Sequence, residues 1–199
     1  MSGNVRIKTR DIARAAVRTE LAQVALDLFQ REGFDRVTIN DVVAAAGVSR
    51  NTFLRYFVTK EDAVLAAFDA WGEQVADALR ARPADEGDWA ALRRALDIVT
   101  EKYRQDPEGA LATARLIRRT PSLRARNLEK QCSWRPLLAG ALAERTCTGP
   151  PRSEELELLV LAAAALDCLD IAVDHWAAAE GRGDLDNLLD ATFAALTAG

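Results

Sequence analysis

Apolar residues recur along this chain with a period near 3.6 and almost nowhere with a period of two. Leu21, Val24, Ala25, Leu28 and Phe29 fall at i, i+3, i+4, i+7 and i+8, one face of an α-helix. Ile39, Val42, Val43 and Ala46 repeat the spacing, and Gly33 and Gly47 stand where each run stops, as glycine does at helix ends. Val64, Phe68, Trp71, Val75 and Leu79 mark a longer helix from Lys60 to about Leu79. Further helices are expected at Trp89–Tyr103, near 108–119, over 122–146 with a kink at Pro136, from Ser153 to about Glu180, and from Asp184 to about Thr197. Residues 82–88 and 146–152 read as breaks. No stretch combines alternation with hairpin turn chemistry. The fold class is all-α, with about nine helices.

The charge distribution divides this helical chain in two. Overall it carries 26 Lys/Arg against 30 Asp/Glu, a net charge of −4 that argues against a polyanionic partner. Residues 1–64, however, hold ten Lys/Arg and eight Asp/Glu, whereas residues 65–199 hold sixteen and twenty-two. Arg6, Lys8, Arg10, Arg14 and Arg18 face only Asp11 in the first eighteen residues. A basic end on an acidic body suggests two tasks, one beside a polyanion. We therefore divide the chain at residue 64.

Other classes fall away on composition. At 49% hydrophobic and 28% charged, the chain suits an ordinary globular protein rather than a disordered one. Cys132, Cys147 and Cys168 are too scattered for a disulfide framework or a metal knuckle and read as reduced thiols. The longest apolar run, Leu158 to Leu166, is far short of the roughly 20 residues of a membrane span. Met1 to Arg10 lacks the apolar stretch of a secretory signal, so a soluble cytoplasmic protein is expected. There is no GxSxG elbow, no P-loop and only one histidine, His175, so neither catalysis, a metal site nor a cofactor is expected.

The strongest local signal runs from Thr38 to Asp62. Thr38 with Asp41, and Thr59 with Asp62, are capping-box pairs, and Ser49 is a natural N-cap. They frame an eight-residue helix, a glycine-containing turn and a second short helix, the outline of a helix-turn-helix. Phe53 and Phe57 supply the inner face of the second helix, leaving Arg50, Asn51, Arg55 and Tyr56 outward. Arginine can fork onto guanine and asparagine can pair with adenine in the major groove. The hydroxyls of Thr38, Thr52 and Tyr56 and the cation of Lys60 suit phosphate oxygens. Exposed arginines also serve simply to solvate a helix. The Arg6–Arg10 arm reads equally as a minor-groove arm or a basic tail.

From about Arg18 through Val64 the chain resembles the DNA-binding domain of the tetracycline-repressor (TetR) family of bacterial transcriptional regulators. The matching residues include Ala25-Leu26-Asp27-Leu28-Phe29, Gly33-Phe34, Thr38 to Gly47, and Phe53 through Asp62. The resemblance implies helices over Arg18–Glu32, Thr38–Ala46 and Arg50–Phe57, the last being the recognition helix. Two positions depart from the pattern. Asn51 stands where many members carry glycine, and Leu54 where many carry a phosphate-contacting tyrosine.

The resemblance also sets expectations for residues 65–199. The last two helices would pair with their mates across a two-fold axis, through Leu159, Ala163, Leu166 and Val173 on one and Leu185, Leu189, Phe193 and Leu196 on the other. An effector pocket would draw on Trp71, Trp89, Tyr103, Arg115, Trp134, Cys168, His175 and Trp176, although a tryptophan on an apolar helix face is usually core. The segment Arg115 to Arg135 carries seven cations and only Glu129. It could receive the phosphates of an acyl-coenzyme A, face DNA, or be a solvated face. The implied function is a homodimeric repressor released from a palindromic double-stranded operator by a hydrophobic or acyl-coenzyme A-like ligand, with the helix from Lys60 as the lever. An effector-independent dimeric DNA-binding protein is the alternative.

Overall fold

The computed structural model describes residues 9–145 and 155–197. Arg6, Lys8, Cys147 and the break expected at 146–152 lie outside the described residues. The chain divides between Ala67 and Phe68 into two compact units. Among the described residues every regular element is helical.

The first unit holds α1 (Thr9–Glu32), α2 (Ile39–Ala46), α3 (Arg50–Leu54) and α4 (Lys60–Val64). Leu21, Ala25, Leu28 and Phe29 of α1 are buried with Phe34, Val37, Val42, Phe53 and Phe57, so the apolar residues of the α1–α2 linker pack among the helices. Helix α1 begins nine residues before Arg18, and residues 12–17 of the added turns are exposed and rich in alanine, which favours helix without burial. The recognition helix is shorter than expected. After Leu54 the chain tightens, Tyr56 N–H reaching the Phe53 carbonyl at 2.9 Å, and Phe57 closes the turn on the same acceptor.

A 3₁₀ turn over Leu65–Phe68 precedes α5 (Trp71–Arg80), so the single helix expected from Lys60 to Leu79 is interrupted. Four successive residues, Ala63 to Ala66, are buried, more than one α-helical stripe can hide. Then follow α6 (Asp88–Ala95), α7 (Asp97–Gln105), α8 (Pro107–Arg119), α9 (Pro121–Arg145), α10 (Glu155–Ala178) and α11 (Leu185–Ala195). Joined across the interruptions at 65–70 and at Leu96, the helices number nine among the described residues. Helix α9 passes through Pro136 without ending.

Helix α9 is the axis of the second unit, packed on α5, α8 and α10. It approaches α5 closely because Gly72 has no side chain; a Cβ there would overlap the Trp134 indole. Arg145, at the end of α9, is buried and donates to the carbonyls of Leu79, Pro83 and Glu86, fastening the loop after α5.

The side chains expected at a partner interface on the last two helices differ in exposure. Leu166, Leu185, Leu189 and Phe193 are buried within their own unit. Leu159, Ala163 and Val173 are half-buried, and only Leu196 is well exposed. The exposed apolar line runs instead through Leu156, Val160 and Ile171 of α10. Helix α10 is apolar around most of its circumference, so periodicity alone does not choose which side faces inward.

Candidate nucleic-acid interface and ligand cavity

The helix-turn-helix is built by local hydrogen bonds that the sequence dictates. At the start of α2 the Asp41 carboxylate accepts from the Thr38 amide at 2.8 Å and hydroxyl at 2.7 Å, while Thr38 Oγ1 accepts from the Asp41 amide. Those bonds, from the Thr38 backbone first and its hydroxyl second, hold the Asp41 carboxyl below its ordinary range. Gly47 ends α2 in the left-handed conformation, φ 66°, its N–H on the Val43 and Ala44 carbonyls. Ser49 caps α3 by accepting from the Thr52 amide. A second capping box, Thr59 with Asp62, starts α4.

This frame buries Phe53 and Phe57, rings 5.3 Å apart, and turns Arg50, Asn51, Arg55 and Leu54 to solvent. Arg50 donates to Asn40 Oδ1 at 3.3 Å, so a residue of α2 steers the guanidinium. Asn40 was not legible as a site residue, since a contact ten positions away has no periodic signature. Thr38 is exposed but engaged with Asp41. Thr52 is half-buried with its hydroxyl 2.9 Å from Ser49 Oγ, and Tyr56 is half-buried against Phe57. Lys60 is placed differently from expectation. Its ammonium donates to the Phe34 carbonyl at 2.7 Å and the Val37 carbonyl at 3.2 Å, and stands 4.1 Å from the Phe34 ring centroid. Those carbonyls close the turn between α1 and α2, and the ammonium satisfies them there instead of projecting outward.

In the second unit, Trp71, Tyr103 and Trp134 line one narrow cavity, together with Phe68, Asp170 and Asp174. It encloses about 40 Å³, room for a few waters. Tyr103 sits between Trp71 and Trp176, at ring separations of 6.0 and 5.6 Å, both edge-on. Burial, with Asp170 and Asp174 nearby, raises its phenol above the ordinary range. Trp176 belongs to the far side of Tyr103, where it lines an open cleft of about 330 Å³.

The remaining pocket candidates lie elsewhere. Trp89 is half-buried between α6 and α11, its ring 4.4 Å from Phe193 and its N–H on the Phe193 carbonyl. Cys168 is buried beside Thr192, and that burial raises its thiol pKa. His175 is exposed. Arg115 pairs with Glu180 at 3.5 Å. The cationic segment around it is largely neutralised within its own unit: Arg124 pairs with Asp174 at 2.8 Å, Arg126 with Glu129, Lys130 with Asp69 and Arg135 with Asp167. Asp170 and Asp174 are half-buried in the cavity lining. They turn inward because α10 is surrounded by packed helices, a tertiary fact.

Residues 21–67 match the family described as bacterial regulatory proteins, tetR family, and residues 86–199 match the MftR C-terminal domain. The chain belongs to the TetR family of transcriptional regulators, and residues 21–67 are its DNA-binding domain. It is 34% identical over 134 residues to the HTH-type transcriptional regulator TcmR of Streptomyces glaucescens, a match covering 64% of this chain and 59% of that protein. The fold is similar to that of the fatty acid degradation regulator FadR from Bacillus halodurans, with a TM-score of 0.63 and 20% identity over 92% of this chain and 95% of the other. Thermus thermophilus FadR, a transcriptional repressor in complex with lauroyl-CoA, superposes with a TM-score of 0.56 and 22% identity over 90% of this chain and 93% of the other. No helix among the described residues is long and apolar enough to cross a membrane.

Proposed function

We propose that the chain is a homodimeric repressor in the cytoplasm that reads a palindromic operator and is released from it by a small molecule bound in the second unit. The observation that carries this reading is the frame around α3: two capping boxes and the Gly47 turn hold Arg50, Asn51 and Arg55 outward on a helix anchored by Phe53 and Phe57. Arg50 and Asn51 read bases, and Thr38, Thr52, Arg55 and Tyr56 serve the backbone. A single short helix reads few bases, so two copies spaced roughly 34–36 Å apart supply the specificity. The exposed Leu156, Val160 and Ile171 of α10, with Leu196, are the apolar face that such a pair needs. No catalytic role is assigned to any residue.

Release follows by linkage. A ligand that binds a conformer with misplaced recognition helices lowers DNA affinity by its preference for that conformer. Trp71, Tyr103 and Trp134 are the aromatic wall of its cavity, and the complex of the Thermus regulator with lauroyl-CoA supports a ligand-binding second unit. The small enclosed volume favours a second reading, in which the body is only a scaffold. Operator affinity, measured by anisotropy against a panel of lipophilic, aromatic and acyl-thioester compounds, separates the two. Saturable weakening by one compound supports the repressor; indifference to every compound supports the scaffold.

A further inference from the structure

The cavity's walls and its charge belong to different chemistries, and together they select a ligand. Trp71, Tyr103 and Trp134 present rings, whereas the only charged groups in the lining are the carboxylates of Asp170 and Asp174, one helical turn apart on α10. Asn127 and Gln131 add neutral polar groups from α9. The cations nearby stand outside the lining. Arg124 reaches Asp174 at 2.8 Å and Asp170 at only 3.9 Å, and Arg118 donates to the Asp174 backbone carbonyl. One guanidinium is thus shared unequally by two carboxylates, with Asp174 the nearer, and Asp170 also accepts from the Gln131 side chain. The Asp170 carboxyl is raised above the ordinary range, first by burial and then by Asp174.

We propose that this cavity binds a planar aromatic cation, its ring against Trp71 and Trp134 and its ammonium on Asp170 and Asp174. Aromatic faces and carboxylates both attract a cation, and both disfavour an anion such as an acyl-coenzyme A. Room for the ring comes from Tyr103, the shared wall between this cavity and the open cleft of about 330 Å³ on its other side. Turning that side chain would join the two spaces. Asp184 and Asp186 line the cleft as well, beside Arg104, so a cation approaching through it meets acidic groups. The proposal rests on the ligand-released reading and names the ligand class for the same site.

A matched series separates charge from shape. Tryptamine, tryptophol and indole-3-acetate carry the same ring with an ammonium, a hydroxyl and a carboxylate, and lauroyl-CoA supplies the anionic thioester. Isothermal titration of the full chain is expected to give tightest binding for tryptamine. Asp170→Asn and Asp174→Asn should each weaken tryptamine at least about tenfold, to the level of tryptophol. Arg124→Gln should act oppositely and tighten tryptamine, which a variant that merely loosened the fold would not do; circular dichroism checks that each variant is folded. Equal affinities across the indole series, tighter binding of indole-3-acetate or lauroyl-CoA, or no binding by any of the four would overturn the assignment. Lauroyl-CoA that binds and releases the operator would do so while leaving the repressor reading intact. A bound ligand of either charge that leaves operator affinity unchanged would count against the repressor reading instead.

Discussion

Arg50 and Lys60 both bring a cation to the helix-turn-helix, and their surroundings give them opposite tasks. Arg50 is exposed and steered by Asn40, so Arg50→Ala should cost about 1–3 kcal/mol of discrimination between operator and random DNA. Equal losses on both sequences, measured by anisotropy, would remove Arg50 from base reading. Lys60 satisfies two turn carbonyls and faces the Phe34 ring. Lys60→Met should therefore destabilise the fold by about 1–3 kcal/mol in urea unfolding, with the salt dependence of DNA binding unchanged. A flatter salt slope with normal stability would return Lys60 to the phosphates. Asp41 adds a pH dependence. Its folded pKa is lowered, so its contribution is full above its ordinary value of 3.8 and is lost as pH falls through the lower folded value. Asp41→Asn should flatten the acid side of the melting-temperature profile; an unchanged profile would mean that the capping bonds do not depend on the charge.

At the scale of elements, most of the architecture was legible because helix ends are written locally. The Thr38 and Thr59 boxes, the Ser49 cap and the Gly47 terminator appear in the structure where residue type alone places them. Two kinds of feature were not legible. The interruption at Leu65–Phe68 passes through Leu-Ala-Ala-Phe, residues that carry no helix-breaking signal. The orientation of α10 was hidden because its inner and outer faces are both apolar, which also concealed the inward carboxylates of Asp170 and Asp174. That orientation can be tested. Leu189 is 0% exposed, so Leu189→Ala should cost about 2–5 kcal/mol without a specific effect on assembly. Val160 and Ile171 are 58% and 59% exposed, so Val160→Glu or Ile171→Glu should give a folded monomer by light scattering. A dimer that survives both substitutions would place the interface elsewhere.

At the scale of the molecule, the proposed function divides between the two compact units. The first unit is small, with side-chain caps at the starts of α2, α3 and α4, and is anchored by buried aromatic residues. The second packs its helices around α9 and leaves a tight, acidic, aromatic cavity. On the proposed reading, a ligand can weaken DNA binding only by as much as it prefers the released conformer. The central claim is that paired copies of α3 read a two-fold symmetric sequence. Selection of sites from random duplex DNA, followed by anisotropy titration at two salt concentrations, tests it directly. The expected result is a palindrome with half-sites about one helical turn apart, bound far more tightly than either half alone and with a steep salt dependence. Binding indifferent to sequence, or equal affinity for a half-site and the full palindrome, would contradict it.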